Sequence, residues 1–116
     1  MADLTTLVGL ELTSVEFIQD HLILHFGEPV GGPAVTFFTW PDVFREEGSY
    51  AFGEPEYRNM LCGVLTEDVT NATLEEGEAI EIEFESGIII RASLREEDVE
   101  VPVAGQFSFA DEFWEF

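Results

Sequence analysis

The sequence predicts a β-dominated α+β domain, with an antiparallel, strongly curved sheet or partial barrel of about six or seven strands and one short helix. Three observations lead to this fold class. Several short stretches alternate apolar and polar side chains, which is the period of a half-buried strand. Glycine, proline and aspartate separate these stretches at short intervals. A single stretch combines helix start and stop signals with apolar residues at helical spacing.

Length and composition indicate one domain over residues 1–116. A chain of this size buries roughly two-thirds of its unfolded surface, so it needs no disulfide or metal to fold. The apolar fraction of 46% excludes a disordered acidic tail. The first residues contain an early acid and no basic segment, and no apolar run has the length of a membrane span. We therefore expect a cytoplasmic protein without a signal peptide.

The first hairpin is predicted near the N-terminus. Val15 and Phe17 alternate with polar residues, and so do Leu22 and Leu24. A two-residue turn at Gln19-Asp20 sets Phe17 opposite Leu22 and Val15 opposite Leu24, so that all four lie on one face.

A loop rich in glycine and proline follows over residues 27–33, and a strand over residues 34–40 that Pro41 ends. This strand has bulky residues on both faces, so we expect it at the centre of the sheet or under the helix. Residues 41–53 show no clear period and predict irregular structure.

The helix is predicted over residues 54–62. Pro55 suits the first helical position, the flanking glutamates suit the positive end of the helix dipole, and Gly63 can cap the far end. Cys62 is the only cysteine and has apolar neighbours, which predicts a small buried side chain. Residues 64–74 then predict an extended segment.

The second hairpin is predicted in residues 79–91, which read AIEIEFESGIIIR. A three-residue loop ending at Gly87, with that glycine in the left-handed conformation, gives one continuous apolar face. The other face then has Glu81 opposite Arg91 and Glu83 opposite Ile89. The pairs on the apolar face are Phe84 with Ile88, Ile82 with Ile90, and Ile80 with Ala92. A two-residue loop would bury Arg91 unpaired, which is costly.

Glu81, Glu83 and Glu85 form a ladder of carboxylates on the polar face of this hairpin. Side chains two residues apart on one face of a strand are separated by ~7 Å, and their repulsion in water is roughly 0.6 kcal/mol per pair. Such a ladder is tolerated at a wet surface, so it predicts either a solvated sheet face or a surface that binds a cationic partner.

The chain also contains an internal echo. Leu7-Val8-Gly9 begins a segment of alternating residues that ends at Phe26, and Leu61-Cys62-Gly63 begins another that ends at Phe84. The echo predicts two similar hairpin units with the helix between them.

The second of these segments runs from Tyr57 through LCGVLTEDV to IEIEFESGIIIRASL. It resembles small uncharacterised bacterial β-rich proteins found among accessory genes, mobile cassettes and candidate toxin-immunity proteins. In that pattern a short helix leads to L-x-G, a strand, and a hairpin of the form l-x-l-x-F-x-x-G. The resemblance covers about half of the chain. It implies a small non-enzymatic accessory protein and supplies no catalytic residues.

The formal net charge is −21, with 25 acidic residues against four arginines and no lysine. This charge argues against a conventional nucleic-acid binder and against adhesion to an anionic membrane. Two interpretations remain, a solvation device as in salt-adapted proteins and a surface for a basic partner. The eleven phenylalanines fit salt adaptation less well, because it requires no aromatic surface.

Few residues suggest chemistry. His21 and His25 lie ~13 Å apart at strand spacing, too far to share a metal ion. Glu16 can approach His25 across the first hairpin, but no nucleophile or oxyanion site accompanies this pair. The acidic clusters in residues 75–78 and 96–98 lack the ligand spacing of a calcium loop. We therefore expect no enzyme, no cofactor and no metal site.

The C-terminus is unusually aromatic, with five aromatic side chains in the last ten residues. Phe107 and Phe109 suit the inward face of a strand. Phe113, Trp114 and Phe116 either complete the core or form an interface with a second copy or another protein, where aromatic residues concentrate binding energy.

These features together predict a non-enzymatic acidic protein-binding module, of the immunity or inhibitor kind, that binds a basic partner. The residues expected to bind are Glu81, Glu83, Glu85, Phe113, Trp114 and Phe116. One alternative is a nucleic-acid mimic whose carboxylates imitate phosphates. Another is a small-molecule-binding or enzymatic barrel with a polar cavity. A homodimer through the aromatic terminus is a further expectation.

Overall fold

The computed structural model describes residues 3–28, 31–110 and 112–116. Within them the chain forms ten β-strands, a 3-10 helix over Leu4–Leu7 and one α-helix, α1, over Tyr57–Cys62. A β-dominated fold with one short α-helix is therefore confirmed. The strands are β1 Leu12–Ile18, β2 His21–Phe26, β3 Ala34–Phe37, β4 Asp42–Arg45, β5 Gly48–Tyr50, β6 Val69–Glu75, β7 Ala79–Phe84, β8 Ile89–Ser93, β9 Gly105–Phe109 and β10 Glu112–Glu115.

The strands form two antiparallel sheets of five strands each. The first sheet has the order β1-β2-β3-β9-β10 and the second the order β5-β4-β8-β7-β6. The predicted single sheet or partial barrel of six or seven strands is wrong, because the described strands number ten and neither sheet closes. The strands missed are β4, β5 and β10, which are only three or four residues long and too short to show a reliable period.

The inner faces of both sheets bury one common apolar core. Apart from Tyr57, whose hydroxyl donates a hydrogen bond to the Pro41 carbonyl oxygen, no polar or charged side chain among the described residues is buried. Cys62 is exposed, which corrects the predicted buried cysteine. It lies in the last turn of α1, whose buried residues are Tyr57 and Leu61, so the thiol is on the solvent side of the helix.

The first predicted hairpin is present in the predicted register. Phe17 pairs with Leu22 and Val15 with Leu24 across β1 and β2. The predicted central strand is β3, which is the middle strand of the first sheet but ends at Phe37. In the loop before it, Pro29 and Val30 lie outside the described residues.

The second predicted hairpin is also confirmed. In β7 and β8, Ile82 pairs with Ile90, and Glu81 lies opposite Arg91. The Phe84 N–H donates to the Ile88 carbonyl oxygen at 2.9 Å. Gly87 has a φ of +93°, the left-handed conformation that the three-residue loop requires.

Residues 41–53 are not irregular throughout, contrary to the prediction, since β4 and β5 form a hairpin there. Val43 pairs with Tyr50 on one side and with Ile90 of β8 on the other. The hairpin is therefore held by a strand far away in the sequence. Such pairing leaves little local signal.

The α-helix begins at Tyr57, three residues later than predicted, and Gly63 follows its last residue as predicted. The residue before it, Glu56, makes no side-chain capping bond. Residues 64–66 form turns, so the extended segment predicted over residues 64–74 begins only at Val69.

The chain consists of two equivalent units. The first unit runs from the 3-10 helix through β5, and the second runs from α1 through β10. Each comprises a short helix, a three-stranded meander and a hairpin. Where the units meet, the Gly9 N–H donates to the Val69 carbonyl oxygen at 2.8 Å, and the Thr66 N–H donates to the Leu12 carbonyl oxygen at 2.9 Å. Reciprocal contacts of this kind are what a two-fold relation produces.

Both meanders begin with the same irregularity. The Thr13 hydroxyl donates to the His25 carbonyl oxygen at 3.1 Å, and the Thr70 hydroxyl donates to the Glu83 carbonyl oxygen at 3.3 Å. The pairing register shifts at each of these threonines, in β1 and in β6. The two units therefore share details of their backbone as well as their order of elements.

The predicted echo exists, but its register was wrong. The sequence motif matched Gly9 with Gly63, whereas the structure matches Gly9 with Thr66. Both residues have positive φ angles, +88° and +73°, and both donate to the other unit. The motif aligned glycine with glycine. The equivalent position is a threonine, a residue type that rarely adopts the left-handed conformation, so the sequence did not reveal the match.

Each unit contributes its last hairpin to the sheet of the other unit. Phe107 of β9 pairs with Val35 of β3, and Val43 of β4 pairs with Ile90 of β8. Each sheet therefore contains three strands from one unit and two from the other. The units cannot separate without breaking both sheets.

Candidate protein-binding surface

The predicted carboxylate ladder lies on the outer face of the second sheet. Glu81 and Glu83 project from β7 and are partly exposed. The Arg91 Nε donates to Glu81 Oε1 at 2.8 Å, across the strands as predicted. Glu85 lies in the β7–β8 turn, where its side chain is exposed and its N–H donates to the Asp68 carbonyl oxygen at 3.1 Å.

An apolar pair lies beside these carboxylates. Ile89 of β8 is opposite Glu83 on one side and Phe44 of β4 on the other, and both apolar side chains are partly exposed. We use the term acidic face for the outer residues Asp42, Phe44, Glu81, Glu83, Ile89 and Arg91.

Asp42 lies opposite Arg91 at the side of the acidic face. Partial burial raises the pKa of the Asp42 carboxyl above its usual value, the charge of Glu54 raises it further, and Arg91 lowers it. Arg91 therefore does not fully offset the effects of burial and of Glu54, which disfavour the ionised carboxylate. A cation brought to this position would stabilise it.

The four arginines leave most of the negative charge unpaired. Arg45 contacts Glu47 at 3.3 Å, Arg91 contacts Glu81 at 2.8 Å and Arg95 contacts Glu78 at 3.3 Å, all with exposed side chains. The guanidinium carbon of Arg58 lies 5.6 Å from the centre of the Phe17 ring. Because no charged side chain among the described residues is buried, their unpaired carboxylates face solvent.

The predicted aromatic terminus divides into packed and exposed side chains. Trp114 stacks on Phe107, with ring centres 5.7 Å apart, and Phe116 packs edge-on against Phe37 at 6.1 Å. Phe113 is exposed, with a relative accessibility of 64% for the residue. Phe109, predicted on an inward face, is also exposed, because it lies at the end of β9. Asp111 of this segment lies outside the described residues.

Gly105 shows how closely Phe116 is packed. A Cβ atom at this position would overlap the Phe116 ring and the Thr36 carbonyl oxygen. The Phe116 N–H donates to the Gly105 carbonyl oxygen at 2.9 Å, which fixes the chain end against β9. Phe116 is thus part of the intramolecular packing, and only its outer edge is accessible.

Trp114 and Phe116 also line an open depression of about 310 Å³. It lies between the end of β10, the β6–β7 turn and the residue after β8. We call it the terminal groove, with the lining residues Leu74, Glu76, Gly77, Leu94, Trp114, Glu115 and Phe116.

The predicted binding residues therefore do not form one patch. Glu81 and Glu83 lie on the outer face of the second sheet, whereas Phe113 lies on the outer face of the first sheet, opposite Ser108 of β9. Trp114 and Phe116 contribute to the terminal groove.

The two histidines have separate partners. His21 Nδ1 lies 2.7 Å from Asp20 Oδ1, and its ring packs against Phe38. His25 Nε2 contacts Glu16, the diagonal pair that the sequence predicts. Among residues 3–28, 31–110 and 112–116, no group of three or more His, Cys, Asp or Glu side chains could hold a metal ion.

An aromatic cluster around α1 was missed in the sequence. The rings of Trp40 and Phe52 stack with centres 4.0 Å apart, and Tyr57 meets Phe52 edge-on at 6.0 Å. The Tyr57 hydroxyl donates to the Pro41 carbonyl oxygen, and burial raises the pKa of this phenol well above its usual value. Tyr57 is therefore a structural anchor.

Comparison with protein-family models, with curated proteins and with solved structures finds no match to this chain. In the part of the chain that the structure describes, no helix is long and apolar enough to cross a membrane.

Proposed function

We propose that this protein is an acidic protein-binding module, of the immunity or inhibitor kind, which binds a basic protein partner. The proposal rests on the observation that the carboxylates are exposed and that only a few of them are paired with an arginine. Three of its four arginines contact single exposed glutamates, and no described carboxylate is buried. The excess negative charge is therefore available to a partner. Such a field steers a basic protein over a Debye length of ~8–10 Å.

The charge is unevenly distributed along the chain. Residues 4–50, which span the first unit, contain seven acidic residues, and residues 57–116, which span the second, contain 15. A general solvation device would need no such imbalance between two units of the same fold. The imbalance favours the second unit as the binding side.

The acidic face has the arrangement expected of a protein interface. Phe44 and Ile89 form an apolar pair, with Glu81, Glu83 and Asp42 around it. Protein interfaces combine an apolar centre with a polar rim, and charges on the rim mainly accelerate association. On the first sheet the positions equivalent to this apolar pair are Ala34 and Ser108, which offer less contact area.

The cavity alternative has less support. Its expected signature is a concave pocket in which Tyr57 or Arg58 meets a buried acid. The depression beside these residues holds about 260 Å³ and has Glu54 on its wall, which is exposed. The Tyr57 hydroxyl is already bonded to the backbone. No reaction follows from this arrangement.

The test is capture of partners from an extract of the source organism by two charge-matched variants. Glu81→Gln with Glu83→Gln neutralises two carboxylates of the acidic face. Glu16→Gln with Asp20→Asn neutralises two on the first hairpin. We expect the wild type and the first-hairpin variant to retain a basic partner and the acidic-face variant to lose it. Equal retention by both variants, or equal loss, would contradict the proposal.

Salt and DNA distinguish the remaining alternatives. Association with a basic protein should slow as salt increases, because screening removes the steering. If duplex DNA displaces the captured protein, the partner is a nucleic-acid-binding protein and the mimic alternative is correct. If no basic protein is captured at low salt, salt adaptation becomes the better account.

Self-association through Phe113 is the alternative to a foreign partner. The side chain is exposed at the edge of the first sheet, but Glu112 and Glu115 flank it. A dimer through this edge should strengthen with salt, because screening reduces the repulsion between two chains of charge −21. Sedimentation of the wild type and of Phe113→Ser at low and high salt tests this. A wild type that stays monomeric at high micromolar concentration in both buffers excludes the dimer.

A further inference from the structure

The acidic face is too small to be a complete protein interface. On one face of a sheet each residue occupies roughly 5 by 7 Å, so the six residues of the acidic face cover about 200 Å² in projection. A stable interface buries about 800 Å² on each partner. The surface that binds a protein partner must therefore extend beyond the acidic face.

The chain leads from the acidic face to an aromatic pair. The side chains directly before and after Asp42 are buried, whereas Trp40, Asp42 and Phe44 are not. Alternate side chains of an extended segment point to the same side, so Trp40 lies on the side of Asp42 and Phe44. Phe52 stacks on Trp40, with ring centres 4.0 Å apart and an angle of 14° between the rings. The pair therefore continues the surface of the acidic face.

Phe52 is exposed although one side of its ring is stacked. Its relative accessibility is 50%. It lines a depression of about 260 Å³ together with Glu54 and Arg58, and the Arg58 guanidinium lies over the Phe17 ring. Among the large apolar side chains exposed in the described part of the chain, Phe52 is the one that contacts link to the acidic face. Aromatic side chains in such positions concentrate the binding energy of protein interfaces.

Two carboxylates lie between Phe52 and the acidic face. Glu54 is exposed, and its charge raises the pKa of Asp42, so the two carboxylates are close enough to repel each other. Arg91 is opposite Asp42 but donates to Glu81 at 2.8 Å. A positive charge from a partner would offset the repulsion between Asp42 and Glu54.

From these observations we infer that the surface for the basic partner continues from the acidic face over Asp42 to Phe52, where the partner places a lysine or arginine side chain. The alkyl chain of this residue covers the Phe52 ring, and its charged end meets Asp42 and Glu54. Phe52 is thus the apolar anchor of the interface. The inference rests on the proposed function and assigns a second contact region to the same partner.

A tetralysine peptide with both ends blocked is the first probe. It is added at low salt to the isotope-labelled full chain, whose two tryptophans, Trp40 and Trp114, each give one indole N–H signal. We expect saturable shifts of the Trp40 indole and the Phe52 amide, and none of the Trp114 indole. Glu54→Gln should weaken this binding about threefold, and the control Glu56→Gln should not. Equal shifts of both indoles, or equal effects of both variants, would show attraction by net charge alone and contradict the inference.

The captured basic partner provides the second measurement. Phe52→Ser should reduce its affinity at least tenfold. The control Phe109→Ser removes an equally large ring at the exposed end of β9 and should leave the affinity unchanged. Thermal melting confirms that both variants remain folded. If Phe52→Ser is destabilised, Glu54→Gln replaces it, because glutamine keeps the oxygen that accepts from the Ala51 N–H.

The outcomes separate the two proposals. If Glu81→Gln with Glu83→Gln loses the partner but Phe52→Ser binds it as well as Phe109→Ser does, the inference is wrong and the proposed function stands. If Phe52→Ser loses the partner and the acidic-face variant retains it, the contact at Phe52 stands and the proposed acidic face is wrong. If no basic protein is captured, the proposed function is wrong and the inference with it.

Discussion

The two units share one backbone frame and differ on their outer faces. Their equivalent inward residues are all apolar and buried, namely Leu22 with Ile80, Leu24 with Ile82, and Phe26 with Phe84. The outward residues between them differ in charge and size, namely His21 with Ala79, Ile23 with Glu81, and His25 with Glu83. The comparison indicates that the inward pattern and the backbone bonds specify the fold. The outer faces are free to carry function.

The largest expected effect tests whether the two units form one cooperative core. Phe26 and Phe84 are equivalent, and both are almost fully buried. Phe26→Ala and Phe84→Ala should each lower the free energy of unfolding by about 3–5 kcal/mol, because each leaves a cavity in a shared core. Urea denaturation followed by tryptophan fluorescence and by circular dichroism measures this. Two separate transitions, or losses that differ by more than about 2 kcal/mol, would mean that the units are not energetically equivalent.

The alkaline stability of the protein depends on a residue that only one unit contains. Burial raises the pKa of Tyr57 above its ordinary value of 10.0, so the folded protein favours the neutral phenol. Its stabilisation is complete below pH 10 and is lost as the pH rises further, by about 1.4 kcal/mol per pH unit. Tyr57→Phe should remove this dependence, at a cost of roughly 1 kcal/mol at neutral pH for the lost hydrogen bond to Pro41.

Tyr50→Phe is the matched control, since Tyr50 is the only other tyrosine. This variant should keep the alkaline loss of stability. If Tyr57→Phe and Tyr50→Phe behave alike in urea denaturation between pH 8 and pH 11, the burial of Tyr57 does not control the effect.

The junction between the units offers a test of backbone equivalence. Gly9 and Thr66 occupy the same left-handed position. A β-branched residue is strained there, so Thr66→Gly should stabilise the fold by up to about 1 kcal/mol, whereas Gly9→Ala should destabilise it by about 1–2 kcal/mol. Opposite shifts of the urea midpoint are expected. A loss of stability in Thr66→Gly would show that the threonine side chain makes a contact worth more than the strain.

The smallest expected effect concerns the acidic face. Glu81 and Arg91 form an exposed ion pair, whereas the equivalent cross-strand pair in the first unit is Ile23 with Thr36. A double-mutant cycle with Glu81→Ala and Arg91→Ala should give a coupling of about 0.2–1 kcal/mol that decreases with salt. A coupling above about 2 kcal/mol would mean that the pair helps to specify the fold.

The sequence predicted those parts of the fold that depend on neighbouring residues. The registers of β1–β2 and β7–β8 followed from alternating apolar residues and from the left-handed glycine at position 87. The hairpin of β4 and β5 was missed, because its strands have only three or four residues and their other partner, β8, is distant in the sequence. The exchange of hairpins between the units has the same origin. Because of this exchange the strands form two sheets, whereas the sequence predicted a single sheet.

The candidate binding surface was predictable to a similar extent. The ladder of Glu81 and Glu83 could be predicted, because glutamates occupy alternate positions of this strand in the sequence. The separation of Phe113 from that ladder was not, because β10 joins the first sheet only through β9.

One measurement tests the central claim, which is that the shared backbone arrangement specifies the fold and the outer face of the second sheet specifies binding. The variant exchanges outer residues between the units, with Ile23→Glu, His25→Glu, Glu81→Ile and Glu83→His. Its amino-acid composition and net charge are unchanged. Its stability should stay within about 2 kcal/mol of the wild type, because only exposed pairs change. Affinity for the captured basic partner should fall at least tenfold. A folded variant that binds the partner with unchanged affinity, or a variant that fails to fold, would contradict the account.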